Sequence, residues 1–282
     1  LVVLKTEAAR FDELLELRMF ESFPGLRGVL RELLDTLAGS QSRFVVTTRY
    51  ASRAHRLLRD APERFEVVHV PPLAPSDVAA TLRAHGVGRD EAEQTELGRM
   101  VHALADGRPM YVRGLSEALA AMDGASGGDP VSALASQLAV GASLSQSCRF
   151  CYELRLHRAR GYGALKAILQ VLADEEPLTL TEIALRLRRT PGSTKDYLSW
   201  LEDVDLVIVR NKRYSFQDPV LRLWVRLHCQ PLPPDETDLA REVQEYAVAR
   251  LPYMEPSLAM ADTNLAQEVG AEDKPFSMIE ID

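Results

Sequence analysis

Cysteine is scarce. The chain of 282 residues carries only Cys148, Cys151 and Cys229, too few for a disulfide framework and in keeping with a reducing, cytoplasmic setting. No apolar run approaches the ~18 residues that a membrane span needs, so no membrane partner is expected. The opening LVVLKTEAAR has no initiator Met, no basic region and no long apolar core, and is not a signal peptide. It reads instead as the inside of a longer protein. No segment spells GxxxxGK followed by Ser or Thr, the loop whose backbone N–H groups cradle phosphates; TPGSTK at 190–195 has similar letters in the wrong order. Cys148-Arg149-Phe150-Cys151 is a lone CxxC. A structural zinc site needs four ligands; His228 and Cys229 are distant in sequence though they could be near in space, and two reduced cysteines in helical sequence is the better reading, so no metal is expected. No Ser/His/Asp or Cys/His pairing stands out, and His157 among arginines reads as a surface or packing residue.

What is present is a chain able to bury a core, with 46% apolar and 26% charged residues and a length suited to two or three domains. The net charge of −8 is unevenly spread. Residues 149–228 hold 14 Lys/Arg against 10 Asp/Glu, whereas residues 229–282 hold 3 against 12. The acidic tail would repel nucleic acid or mask a basic face.

The stretch from Gly163 to Trp224 carries the strongest local signals. Leu165, Ile168, Leu169 and Leu172 recur at helical spacing. Thr179 and Glu182 form a capping box for a second helix with Ile183, Ala184 and Leu187 on one face. Thr190 caps a third helix with Pro191 at its first position, or Ser193 and Asp196 cap it one register later. Tyr197, Leu198 and Leu201 give that helix its apolar stripe. Leu206–Val209 and Tyr214–Phe216 read as strands joined at Asn211-Lys212. Helix, helix, helix and hairpin make a winged helix-turn-helix.

Upstream, the fold class expected is α/β. Leu1–Leu4, Phe44–Thr47 and Phe65–Val70 read as buried parallel strands, with helical sequence over 11–38 and ASRAHRLLRDA between them. From Ser76 the chain turns helical, with stops at Gly86 and Gly107 and a new start at Pro109, as in a three-helix lid. Asp123–Pro130 reads as a linker and 131–162 as helical. Four units are expected: an α/β part over 1–72, a helical lid and linker over 73–145, a winged helix over 146–230, and an acidic tail over 231–282 with one helix near Asp238–Arg250.

FVVTTR, FEVVHVPPLAPSDVAATLRAHG, ADGRPMYVRGL and YSFQDPVLRLWVRL together resemble the later part of the archaeal-type P-loop ATPases of the STAND and AAA+ assemblage, over roughly residues 1–230. The resemblance implies that Thr48 and Arg49 sense the γ-phosphate and that Gly107 and Pro109 of a Gly-x-Pro turn contact adenine. The alternatives are a surface Arg at a strand end and an ordinary helix start. It also implies ATP and Mg²⁺ in an intact parent, with hydrolysis there. If Leu1–Leu4 is the strand that leads to it, Lys5 stands where the Mg²⁺-holding Asp belongs; with the phosphate loop missing as well, this chain alone is expected to bind ATP weakly or not at all. In the winged helix, Arg186, Arg188, Arg189, Ser193, Thr194, Lys195, Arg210, Lys212 and Arg213 are candidate phosphate contacts. Asp196, Glu202, Asp203 and Asp205 thin the positive field, so the partner is DNA or a protein. Self-association is possible on the same resemblance.

Overall fold

The computed structural model describes residues 6–10, 29–40, 43–48, 50–58, 66–122, 128–156 and 161–251. These residues are mostly helical, with two small sheets. Strand β1 (Thr6–Arg10) pairs in parallel with β2 (Arg43–Thr47), Ala8 opposite Val45, across helix α1 (Val29–Gly39). The expected strand at Leu1–Leu4 and the helical sequence over 11–28 lie outside the described residues. Helix α2 (Ala51–Leu58) follows. The expected third strand does not form over Glu66–Val70. This stretch is extended but exposed, with Val68 at 76% and Val70 at 90%. A strand needs a hydrogen-bonding neighbour, and none pairs with it among the described residues.

Helices α3 (Pro75–Ala84), α4 (Glu91–Ala105) and α5 (Pro109–Met122) form the expected helical group. The first of them starts at Pro75 rather than after Ser76-Asp77, because the Asp77 carboxylate accepts from the Ala74 N–H at 3.0 Å. α3 and α4 lie so close that a Cβ at Gly98 would fall 2.8 Å from that of Ala79. Pro130, expected to end a linker, instead opens α6 (Pro130–Leu138), with Asp129 as its cap. α7 (Ser143–Leu156) follows.

α8 (Tyr162–Glu175), β3 (Leu178–Thr179), α9 (Leu180–Arg186), α10 (Pro191–Asp203), β4 (Val207–Arg210), β5 (Arg213–Phe216) and α11 (Pro219–His228) come next. Thr179 accepts from the Glu182 N–H and the Glu182 carboxylate accepts from the Thr179 N–H, completing the capping box. Thr190, not Ser193, caps α10, because Pro191 sits at the first turn where no N–H is required. β4 and β5 pair antiparallel from Val207–Phe216 to Arg210–Arg213, and β3 lies on the other side of β5. Asn211 and Lys212 both have positive φ, 51° and 63°, which makes a two-residue turn matched to strand twist.

One apolar core runs through all of this. Leu82, Val101, Leu115, Leu134, Leu165, Ile168, Leu201 and Val220 are fully buried within it. The helix expected near Asp238–Arg250 forms, starting two residues earlier at Glu236. α12 (Glu236–Arg250) is capped by Asp235 and buries Val243 and Ala247 in the same core. Tyr246 donates its hydroxyl to the Leu104 carbonyl at 2.7 Å, and Arg226 pairs with Glu242 at 2.7 Å. Burial of two small apolar faces and these polar contacts hold an otherwise charged helix.

Candidate functional site

The turn after α4 is built from two left-handed residues, Asp106 (φ 53°) and Gly107 (φ 62°). A Cβ at Gly107 would lie 2.6 Å from the Leu73 carbonyl oxygen, so only glycine fits. The Leu73 N–H donates to the Gly107 carbonyl at 2.8 Å. Pro71-Pro72-Leu73 is therefore seated on the turn. Pro109 is exposed at the start of α5 and lines a cleft of about 430 Å³ with Arg113, Gly114, Glu117, Ser143 and Ser147.

Arg108 points the other way. Its Nη2 donates to the Gln217 carbonyl at 2.7 Å, and its Nη1 lies 3.5 Å from Asp218 Oδ2. The same Oδ2 accepts the Tyr111 hydroxyl at 2.7 Å, while Oδ1 accepts the N–H groups of Val220 and Leu221 at 3.1 and 3.0 Å. Asp218 thus caps α11 and ties it to the turn. Burial, with the Asp218 carboxylate alongside, pushes the Tyr111 hydroxyl pKa well up, so it stays a donor. Arg222 and Trp224 of the same FxDPxxRxW segment also have internal partners. Arg222 donates to the Ala173 carbonyl at 3.0 Å and pairs with Glu176, and the Trp224 indole donates to Ser145 Oγ at 3.0 Å. Sequence reasoning valued the segment as a resemblance and missed these roles. An Asp-Pro pair before an apolar helix is a readable cap signal, whereas nothing in the sequence points from Tyr111 to Asp218.

Thr48 follows β2 and is half-buried, and its Oγ1 accepts the Tyr50 N–H at 3.0 Å. Arg49 lies outside the described residues. Thr48 and the Gly107–Pro109 turn stand on different elements with different neighbours. The start of α2 meets the C-terminal module: the Ser52 N–H donates to Asp205 Oδ1 at 3.3 Å, and Arg155 donates to the Asp205 carbonyl at 3.2 Å. Burial raises the Asp205 carboxyl pKa despite the hydrogen bonds from Ser52 and Ala51 and the charge of Arg155.

The candidate nucleic-acid contacts separate into four groups. Thr194 is fully buried and donates to the Thr190 carbonyl, so it faces no partner; this corrects its place in the set. Ser193 is half-buried and bonded to Thr190. Arg186 pairs with Glu175, and Arg213 pairs with Glu182 and donates to the Pro177 carbonyl. Arg188, Arg189, Lys195, Arg210 and Lys212 are exposed and in no salt bridge among the described residues, with Arg189 over the Tyr197 ring at 5.6 Å. The acidic residues expected to oppose them do so less than the sequence implied. Asp203 and Asp205 are 7% and 6% exposed and Glu202 is half-buried, which leaves Asp196 at the surface.

Cys148 is buried, its thiol pKa pushed up to about 12 by desolvation, and its Sγ lies 4.0 Å from the Tyr111 hydroxyl. Among the described residues no group of three His, Cys, Asp or Glu is placed to hold a metal ion. Ser145 and His228 approach within 3.4 Å, but His228 Nε2 lies 2.8 Å from the Leu138 carbonyl and Ser145 accepts from Trp224. That is a packing contact, not a nucleophile and its base. No helix of the described residues is long and apolar enough to cross a membrane. No family model matches this chain, and no curated protein matches it either.

Proposed function

We propose that this chain is the later part of a nucleotide-switched regulatory ATPase of the STAND and AAA+ type, working in the cytoplasm, with a winged helix as its output module. The observation that carries the reading is the junction at Asp218. The turn at Gly107–Pro109, which the resemblance sets against adenine, is joined through Arg108 and Tyr111 to the cap of α11. A ligand that shifts the turn shifts the module behind it, which is how a ligand biases a two-state element. Three helices with the hairpin sheet β3-β5-β4 support the winged-helix reading. The phosphate loop and Mg²⁺ ligand must come from a parent chain, because these 282 residues lack the loop. Calorimetry with ATP is the test. This chain alone binds weakly or not at all, and a longer chain that adds a phosphate loop ahead of Leu1 binds tightly. Thr48→Ala or Arg49→Ala then lowers hydrolysis more than binding. Tight binding by the 282 residues alone, or none by the longer chain, refutes the reading.

A second reading, a winged-helix DNA-binding regulator without nucleotide dependence, is favoured by the exposed Arg188, Arg189, Lys195, Arg210 and Lys212 set against buried Asp203 and Asp205. It requires duplex DNA binding that weakens with salt and ignores ATP. Arg210→Ala and Lys212→Ala should each lower the salt slope by about 1 if each meets a phosphate. Binding that does not respond to salt, or none at low salt, retires DNA and leaves a partner protein.

A further inference from the structure

His55 on α2 and His69 in the extended stretch 66–70 have no part in the readings above. Their Nε2 atoms lie 2.9 Å apart, with ring centroids 4.9 Å apart and planes 20° from parallel. Both residues are exposed. The separation is a hydrogen bond between one N–H and one lone pair, so the two ring nitrogens already face each other.

We propose that His55 and His69 form a two-imidazole site for a divalent transition-metal ion of the zinc, nickel or copper class. Neutral imidazole nitrogen is the ligand these ions prefer after thiolate. Metal–nitrogen bonds of about 2.0–2.1 Å at a tetrahedral angle set two nitrogens about 3.3 Å apart. The pair needs to open by only about 0.4 Å from its present 2.9 Å and to tilt, and exposure leaves both rings room to do so. The donor ring shifts its proton from Nε2 to Nδ1 through solvent, so that both rings stay neutral and both Nε2 lone pairs face the ion, and water fills its other positions. The site is separate from the CxxC pair.

Its consequence reaches the candidate nucleotide turn. His69 leads within a few residues to Leu73, whose N–H holds the Gly107 carbonyl. An ion held by both side chains ties His69 to α2, four residues ahead of that hydrogen bond.

Titration of the full chain at neutral pH with Zn²⁺, and separately with Ni²⁺, tests the site. One ion should bind per chain, and His55→Gln and His69→Gln should each weaken it more than tenfold, as loss of a direct ligand demands. The double variant should lose the site altogether, because no imidazole is then left to hold the ion. Paramagnetic Ni²⁺ should broaden the imidazole signals of His55 and His69 and spare that of His85. Binding that survives both substitutions places the ion elsewhere on the chain and overturns the proposal. So does an effect of only one substitution, or no binding by the unaltered chain.

Discussion

Asp218→Ala removes the junction between the helical group and the C-terminal module, and its cost follows from the contacts. The carboxylate caps α11 through the Val220 and Leu221 N–H groups, and loss of such a cap costs about 1–2 kcal/mol. The Tyr111 hydroxyl, in a side chain 2% exposed, then loses its partner, and an unpaired buried hydroxyl costs about 1–3 kcal/mol. Some water enters the space left, so the expected loss is about 3 kcal/mol. Asp218→Asn keeps the cap through its one carbonyl oxygen but turns an NH2 toward the Tyr111 hydroxyl and Arg108, so it should cost about 1–2 kcal/mol. Tyr111→Phe should also cost about 1 kcal/mol. Urea unfolding reads these values as shifts in midpoint at constant slope. The double variant Asp218→Ala/Tyr111→Phe should fall short of the sum of its singles by at least ~0.5 kcal/mol, because the two side chains share one hydrogen bond. A loss below ~1 kcal/mol for Asp218→Ala, or strict additivity, would refute the junction as a structural link.

Gly107→Ala places a Cβ 2.6 Å from the Leu73 carbonyl in left-handed backbone, so it should destabilise by at least about 1–2 kcal/mol in thermal unfolding; a neutral effect means the turn is not held as described. Asp205 carries a raised folded pKa, so the folded chain gains stability as pH falls through that value and loses it as pH rises. Asn does not titrate and tolerates the positive φ of this position, so the stability of Asp205→Asn relative to the unaltered chain should rise from acid toward neutral pH; a flat or opposite trend removes the buried-carboxylate account. Cys148, buried with its thiol pKa near 12, should resist a thiol reagent at neutral pH in the folded chain, while half-exposed Cys151 reacts; fast labelling of Cys148 contradicts its placement.

The sequence by itself determined the local elements from residue 163 on. The Thr179–Glu182 capping box, Thr190-Pro191, the hairpin at Asn211-Lys212 and the apolar spacing of α8 are short-range signals, satisfied within a turn or two of the chain. The same holds for the lid helices and their stops at Gly86 and Gly107. What depended on distant partners was not legible. Glu66–Val70 has strand composition, yet a strand exists only beside another, and composition names no neighbour. α12 is legible as a helix in an acidic tail, but its attachment to the body is not, because its hold comes from Leu104, Arg226 and the common core. Thr194 and Lys195 look alike as polar residues at a helix start, but helix rotation buries one and exposes the other. Asp203 and Asp205 count as surface charge in a sequence tally and are buried in the fold. The pairings of Asp218 with Tyr111 and of His55 with His69 belong to the same class. Hydrogen bonds and side-chain approach across many residues are set by packing, and only the tertiary structure decides them.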